Sequence, residues 1–306
     1  MVIDMHAHVL RKPLIRFHPD VTPFMSAEQQ LQVMDRLQID KAVILPLFSP
    51  EVLPESQSPH EVLQICADYP GRFIPFCNVD PRITSTAHEC DSDYFVFLLQ
   101  QFAELGFCGL GELTAKILWD DPRLIALLTA CGQVNFPVVF HTSLIQNRDY
   151  GPMDDLGFPR LEKVLRSIPE VRLIGHSMAF WSEISGDVVA AEKSIYPQGT
   201  VRPGGRVIEL LEKYPNLYAD LSANSGYNAL ARDPEFAHGF IERFQRQLLM
   251  GLDYCSPKNE RPLIDWLYDA VNNGKISQTA YNRIMGDNAF ELLGLADETS
   301  AGFAAN

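Results

Sequence analysis

The sequence predicts an α/β chain folded as a (β/α)8 TIM barrel with a C-terminal helical cap. Short apolar runs alternate with longer stretches of helical period, the pattern of repeated strand-helix units around a parallel sheet. Eight such units fit in 306 residues, a mean of about 38 residues each, which suits a barrel with inserted loops. No linker, internal repeat or low-complexity tract divides the chain, so residues 1–295 read as one domain.

The strand candidates are residues 2–5, 42–47, 73–79, 109–113, 138–141, 172–175, 217–220 and 248–251. Most are apolar on both faces, as strands covered on two sides are. Ser26 is placed to cap a helix carrying Leu31, Met34 and Leu37, with Gln29 positioned for a capping box. Asp121 before Pro122 and Asp233 before Pro234 each pair an N-cap with a first-turn proline. Residues 159–168, 205–213 and 262–272 supply three further helices, and 277–285 with 288–293 form the terminal cap. The small, polar tail 296–306 is expected to be poorly ordered. Residues 182–203, with Gly186, Pro197, Gly199 and Pro203, form the longest loop and follow a strand, a position that suits a lid or specificity loop.

Composition narrows the function. With 25 basic against 39 acidic residues the net charge is −14, which argues against general attraction to nucleic acid or anionic lipid. No apolar run approaches the roughly 18 residues of a membrane span, and no signal-peptide pattern precedes the first strand. The reading is therefore cytoplasmic, with no membrane and no nucleic-acid partner. The six cysteines are dispersed without a CxxC pair, which argues against a disulfide framework or a cysteine-bound structural zinc.

The chemistry sits at strand ends. Ile3-Asp4-Met5-His6-Ala7-His8 closes the first strand, and side chains two apart point to one face, so His6 and His8 can share a metal. Alone, such a pair is as readily one core histidine and one exposed. His141 ends Pro137-Val-Val-Phe-His, His176 follows Arg172-Leu-Ile-Gly, and Asp253 follows Leu248-Leu-Met-Gly-Leu. Strand C-termini converge on one mouth in a closed parallel barrel, so all five can meet there. Imidazoles plus a carboxylate suit a divalent cation, zinc most naturally and manganese as the alternative, with a position left for water. Glu112, in Gly109-Leu-Gly-Glu-Leu, is either a further ligand, bridging or sharing a cation, or a structural, substrate-orienting acid. Lys116 is placed to pair with an anionic substrate group or simply to be solvated. His18, His60, His88 and His238 fall in predicted loops or helices and are left out of the site.

These five residues in this order resemble the amidohydrolase superfamily, and the nearest branch is the amidohydrolase-related, or amidohydrolase 2, group. Leu217-Tyr-Ala-Asp-Leu-Ser222, Met250-Gly-Leu-Asp-Tyr254 and Gly286-Asp-Asn-Ala-Phe-Glu-Leu-Leu-Gly294 are similar to that branch's seventh strand, eighth strand and terminal helix. The resemblance covers nearly the whole chain. It implies hydrolysis of an amide, ester or lactone in a small, carboxylated molecule by metal-activated water. Asp253 would act as general base and then general acid, and His176 would hold a second cation or steady an oxyanion. The same branch includes non-oxidative decarboxylases. Gly109-Leu-Gly-Glu112 also resembles the TatD-like metal-dependent deoxyribonucleases, which the acidic charge disfavours. A metal-stabilised, non-catalytic ligand-binding barrel is the remaining rival, against which the spare carboxylate of Asp253 speaks. Substrate contacts from Lys116, Trp181, Asn224 and Tyr227 are expected from their place after strands. A homodimer is the default oligomer.

Overall fold

The computed structural model describes residues 1–16, 24–52, 56–83, 91–146 and 149–295. His18, His88, Cys90 and the tail 296–306 lie outside the described residues. Eight parallel strands surround the axis: β1 (Ile3–Ala7), β2 (Lys41–Ile44), β3 (Phe73–Pro75), β4 (Leu110–Leu113), β5 (Val138–Phe140), β6 (Leu173–Gly175), β7 (Leu217–Asp220) and β8 (Leu248–Leu249). Strands β1, β2 and β3 pair in sequence order, as do β4 through β8. Two single parallel pairs join the arcs into a ring, Cys77 with Leu110 and Ala7 with Tyr254. Across the second seam Met5 N donates to Met250 O at 3.0 Å. A closed ring of parallel strands places every strand C-terminus at one mouth.

The helices follow the capping chemistry of the sequence. Ser26 accepts from Gln29 N and Gln29 returns a bond, completing the capping box of α1 (Ala27–Leu37). Asp121 caps α4 (Pro122–Gln133), and Asp233 caps α9 (Pro234–Phe244), each with proline in the first turn. The ring also holds α5 (Pro159–Ser167), α7 (Arg206–Lys213) and α10 (Leu263–Asn272). Two more, α2 (Pro59–Asp68) and α3 (Ser92–Glu104), occupy stretches where the sequence reading places no helix. Ser58 before Pro59 is the same cap-plus-proline signal, whereas Tyr94 and Phe97 on α3 are exposed, as is Leu105 just past its end, and blur its apolar stripe.

Short helices α6 (Met178–Ser182) and α8 (Ala223–Ala231) rise directly from the ends of β6 and β7, in segments read from sequence as loops. Helices α11 (Gln278–Asn282) and α12 (Asn288–Leu293) are joined by a π turn, Arg283–Asp287. Gly286 is required there, because a Cβ would come within 2.0 Å of Met1 O.

The barrel interior is packed by Ile3, Met5, Val43, Leu45, Ile74, Phe76, Val139, Ile174 and Leu249, with Ala289, Leu292 and Leu293 of α12 in the same cluster. The terminal helix thus closes the barrel end where the strands begin. A bulge lies between Asp4 and Ala7, where the pairing of β1 with β2 shifts register. Ile3 and Met5 belong to the interior layer, and the extra residue turns His6 and His8 into the space above it. A second shift, between Leu110 and Leu113, brackets Glu112. Bulges re-aim side chains, and both occur where the sequence places candidate ligands.

Candidate metal centre

The structure brings His6, His8, Glu112, His141, His176 and Asp253 together at the mouth. All but His6 line one cavity of about 180 Å³, and His6 lies behind it, fully buried. His6 Nε2 is 3.1 Å from His8 Nε2, and Asp253 Oδ1 is 3.4 Å from His8 Nε2 and 3.9 Å from His6 Nε2. His176 Nε2 is 3.9 Å from Asp253 Oδ2, and Glu112 Oε2 is 3.4 Å from His8 Nε2. Four overlapping sets, each with donor atoms within 4.8 Å of one another, come from this cluster: His6 with His176 and Asp253, His6 with His8 and Glu112, His8 with Asp253 and Cys255, and Glu112 with His141 and His176. Ser177 (φ 107°), Ala223 (φ 57°) and Asp253 (φ 53°) line the cavity in left-handed backbone. Such conformations persist where the surrounding structure over-determines them, as at functional sites.

Each imidazole is aimed by a partner on its far nitrogen. His8 Nδ1 donates to Leu45 O at 2.9 Å, so its proton is on Nδ1 and Nε2 carries a lone pair. His6 Nδ1 donates to Asp220 Oδ2 at 2.6 Å. The Ser222 hydroxyl donates to the same oxygen at 2.7 Å and accepts from His176 Nδ1 at 2.7 Å. One carboxylate oxygen therefore orients two rings, one directly and one through a hydroxyl. His141 Nδ1 donates to Glu112 Oε1 at 2.8 Å, leaving Nε2 buried without a hydrogen-bond partner and 3.6 Å from Asp149 Oδ1. Gly251 makes room for the arrangement, since a Cβ would lie 2.4 Å from Asp220 Oδ1.

The electrostatics call for a cation. Burial disfavours a charged His6, but Asp220, Asp253 and Glu112 outweigh it and raise its pKa to about 10. Burial and the neighbouring His6 charge push His176 down to about 4, so it remains a neutral donor. Burial works against ionised Glu112, yet the hydrogen bond from His141 and the positive potential of His141 and His6 hold it well below the usual carboxylate range. Asp253 is likewise lowered against its burial, chiefly by the positive charge of His6. Two imidazole lone pairs facing each other at 3.1 Å beside the carboxylates of Glu112 and Asp253 need a positive charge between them, either a proton on His6 or a metal ion. The donor set of nitrogens and carboxylate oxygens fits a divalent cation of the zinc type.

The residues expected to touch substrate lie elsewhere. Trp181, on α6, is buried and donates from Nε1 to Asp220 O at 2.8 Å, bracing the end of β7. Asn224 is exposed and accepts from Arg261 Nη1 at 3.4 Å, while Tyr227 packs against the core. Lys116 is half-buried and is not among the cavity-lining residues. From the segment holding Asn224 and Tyr227 it is Ala223 and Ser225 that face the cavity, because α8 leaves β7 through the left-handed Ala223 and this sets the helical phase. Phe24, Leu47, Val52, Tyr150, Met178, Tyr196 and Cys255 complete the wall.

Sequence reasoning gave no role to Asp220, Ser222, Asp149, Tyr150, Tyr196 or Cys255. For the first two a signal exists, polar residues two apart closing an apolar strand, the same pattern as His6 and His8. Tyr196 comes from the loop 182–203 that the sequence marks as a lid or specificity loop. His60 and His238 lie apart, on α2 against Gln64 and on α9 stacked on Trp266.

A closed parallel barrel with a histidine and carboxylate cluster at its strand C-termini defines a class, the metal-dependent barrel enzymes. The chain belongs to the amidohydrolase family, whose model matches residues 3–295. Among solved structures it is similar to 2,6-dihydroxybenzoate decarboxylase complexed with 2,6-dihydroxybenzoate, at TM-score 0.58 and 14% identity, covering 96% of this chain and 98% of that one. A probable 2-pyrone-4,6-dicarboxylic acid hydrolase from Acinetobacter baumannii with bound citric acid matches at TM-score 0.56 and 14% identity, covering 96% and 99%. An amidohydrolase from Burkholderia multivorans with bound zinc matches at TM-score 0.59 and 11% identity, covering 97% and 100%. At these identities the likeness is one of fold. No curated protein matches significantly. Among the described residues, no helix is long and apolar enough to cross a membrane.

Proposed function

We propose that this chain is a zinc-dependent hydrolase that cleaves an amide, ester or lactone bond in a small carboxylated molecule. The observation that carries the reading is the placement of Asp253, whose carboxylate lies 3.4 Å from His8 Nε2 and 3.9 Å from His176 Nε2 on the wall of a small cavity. His6, His8 and Asp253 would hold the cation, with His176 at its side. Glu112 would connect this group to His141 where a second cation is held. A divalent cation bound here supplies Lewis-acid polarisation of a substrate oxygen and lowers the pKa of a coordinated water toward neutrality.

Asp253 takes the proton from the attacking water and returns it to the leaving group. His176, kept neutral by burial, offers Nε2 as a ligand or, in the mononuclear case, as a partner for developing negative charge. Asp220 and Ser222 hold both rings at fixed tilt, so no reorganisation is needed during turnover.

Decarboxylation is the second reading, favoured by the wall of Phe24, Leu47, Val52 and Met178. That face suits a flat apolar ring, and no lysine or arginine among the described residues lines the cavity to hold a carboxylate away from the metal. The fold neighbours include enzymes of both kinds. The test is a panel of aromatic acids, lactones and amides given to zinc-loaded protein, with carbon dioxide and hydrolysis products both measured. Acid or alcohol products without gas support hydrolysis, and gas evolution replaces it with decarboxylation. Cleavage of a phosphodiester instead, or binding without turnover of any kind, overturns both.

A further inference from the structure

The end of β8 repeats the device at the end of β1. Ala7 and Tyr254 are parallel neighbours, and Asp253 N donates to His6 O at 2.9 Å. Alternation on either side of that pair sets His6 and His8 on one strand end opposite Asp253 and Cys255 on the next. Tyr254, between the two donors, turns away into the core and accepts from Arg36 Nη2 at 3.3 Å. The sequence thus carries Asp-x-Cys facing His-x-His.

Cys255 Sγ lies 3.1 Å from Asp253 Oδ1, and the donor atoms of His8, Asp253 and Cys255 are all within 4.8 Å of one another. Neighbouring donors on one tetrahedral zinc stand roughly 3.3–3.6 Å apart, from bond lengths of about 2.0–2.3 Å. The segment is held in place by its backbone: Cys255 N donates to Asn259 Oδ1 at 3.0 Å, and Arg261 donates to Leu252 O at 2.6 Å and Asp253 O at 2.7 Å. A further sign that this cavity is built around a ligand is His141, deeply buried on the same wall, whose Nε2 makes no hydrogen bond and has Asp149 Oδ1 no nearer than 3.6 Å.

We propose that Cys255 is itself a ligand of the metal centre, adding a thiolate beside His8 and Asp253 and so selecting a thiophilic cation. This inference rests on the metal-dependent reading above. On binding, the Sγ–H bond breaks, its proton leaves to solvent through the cavity, and the freed sulfur lone pair forms the bond to the cation; no electron is transferred. A soft sulfur donor favours zinc, cobalt or iron over manganese and magnesium. None of the other four cysteines described, Cys66, Cys77, Cys108 and Cys131, lines this cavity.

The test is a titration of metal-free full-length protein with Co2+, followed by absorbance, for the wild type and Cys255→Ser. The expected wild-type result is a near-ultraviolet sulfur-to-cobalt charge-transfer band that saturates together with the visible d–d bands. The serine variant keeps the visible bands and loses the near-ultraviolet one. Visible bands without a charge-transfer band in the wild type overturn the inference and leave the metal-dependent reading standing. A charge-transfer band that survives Cys255→Ser also overturns it, by assigning the sulfur elsewhere. No cobalt binding at all overturns both. Should the variant not fold, X-ray absorption of zinc-loaded wild type decides, through the presence or absence of a sulfur scatterer.

Discussion

Asp220→Asn removes one charge and leaves the side chain's shape unchanged. In the native chain Asp220 Oδ2 accepts from His6 Nδ1 at 2.6 Å and from Ser222 Oγ at 2.7 Å, and Oδ1 accepts from Ser222 N at 2.9 Å. An amide cannot accept through both positions. If its NH2 faces His6, that ring must move its proton to Nε2, the nitrogen offered to the metal. If its oxygen faces His6, the bond survives without its ionic part. Losing one partner behind a metal-bound histidine typically costs 10–100-fold in affinity, or about 1.4–2.8 kcal/mol at 1.4 kcal/mol per tenfold. Asp220 stands behind both His6 and His176, which places the expected loss near the upper end, about 100-fold. Competition for Zn2+ against a chromophoric chelator measures it directly, with the melting temperature of the metal-free variant as a check on folding. A variant that binds zinc within about threefold of wild type, well short of the 10–100-fold loss expected for such partners, refutes the idea that Asp220 aims these rings.

Asp253→Asn should retain the cation, since the amide oxygen can still ligate, while turnover falls by about 10²–10⁴-fold, the range for loss of a general base; unchanged turnover with zinc bound removes Asp253 from proton transfer. Lys193 is completely buried, paired with Glu183 and 3.8 Å above the Phe158 ring centroid. Lys193→Met leaves Glu183 buried and unpaired at a cost of about 3–5 kcal/mol, read as a lower denaturation midpoint, and a change under about 1 kcal/mol would place this pair among weak surface bridges. Glu162, on α5 and facing α7, is held down from 4.5 to about 2 by Lys213, Tyr214 and Arg206. Its folded pKa is depressed, so its contribution is fully present above pH 4.5 and disappears as pH falls toward about 2. Glu162→Gln should therefore flatten the acid limb of melting temperature against pH, and parallel curves for the two proteins would contradict this.

The ligand candidates were legible because two simple rules place them: side chains two apart share a strand face, and parallel strands in a closed barrel end at one mouth. His141 and Asp253 need only the second rule. The means by which β1 delivers its histidines was not legible, because a bulge between Asp4 and Ala7 depends on pairing with β2 and leaves no local signature. Asp220 and Ser222 carried a readable pattern, but their partners, His6 and His176, are far away in sequence. Asn224 and Tyr227 show the limit on the substrate side. The right segment was identified, yet the left-handed turn at Ala223 sets which residues of α8 face inward. Asp149 and Tyr150 lie in irregular chain, where no periodicity announces orientation. The ring of Tyr150 packs 4.1 Å from that of His141, a contact between side chains from one loop and one strand end.

The central claim is that donors scattered from His6 to Asp253 hold one cation at the barrel mouth. Anomalous diffraction at the zinc edge, on crystals of protein purified without added metal and then soaked with equimolar Zn2+, locates it. The account predicts one dominant peak within bonding distance of His6 Nε2, His8 Nε2 and Asp253, with any second peak beside Glu112 and His141. A strong peak bound only by residues outside this cluster, or none at all, would contradict it.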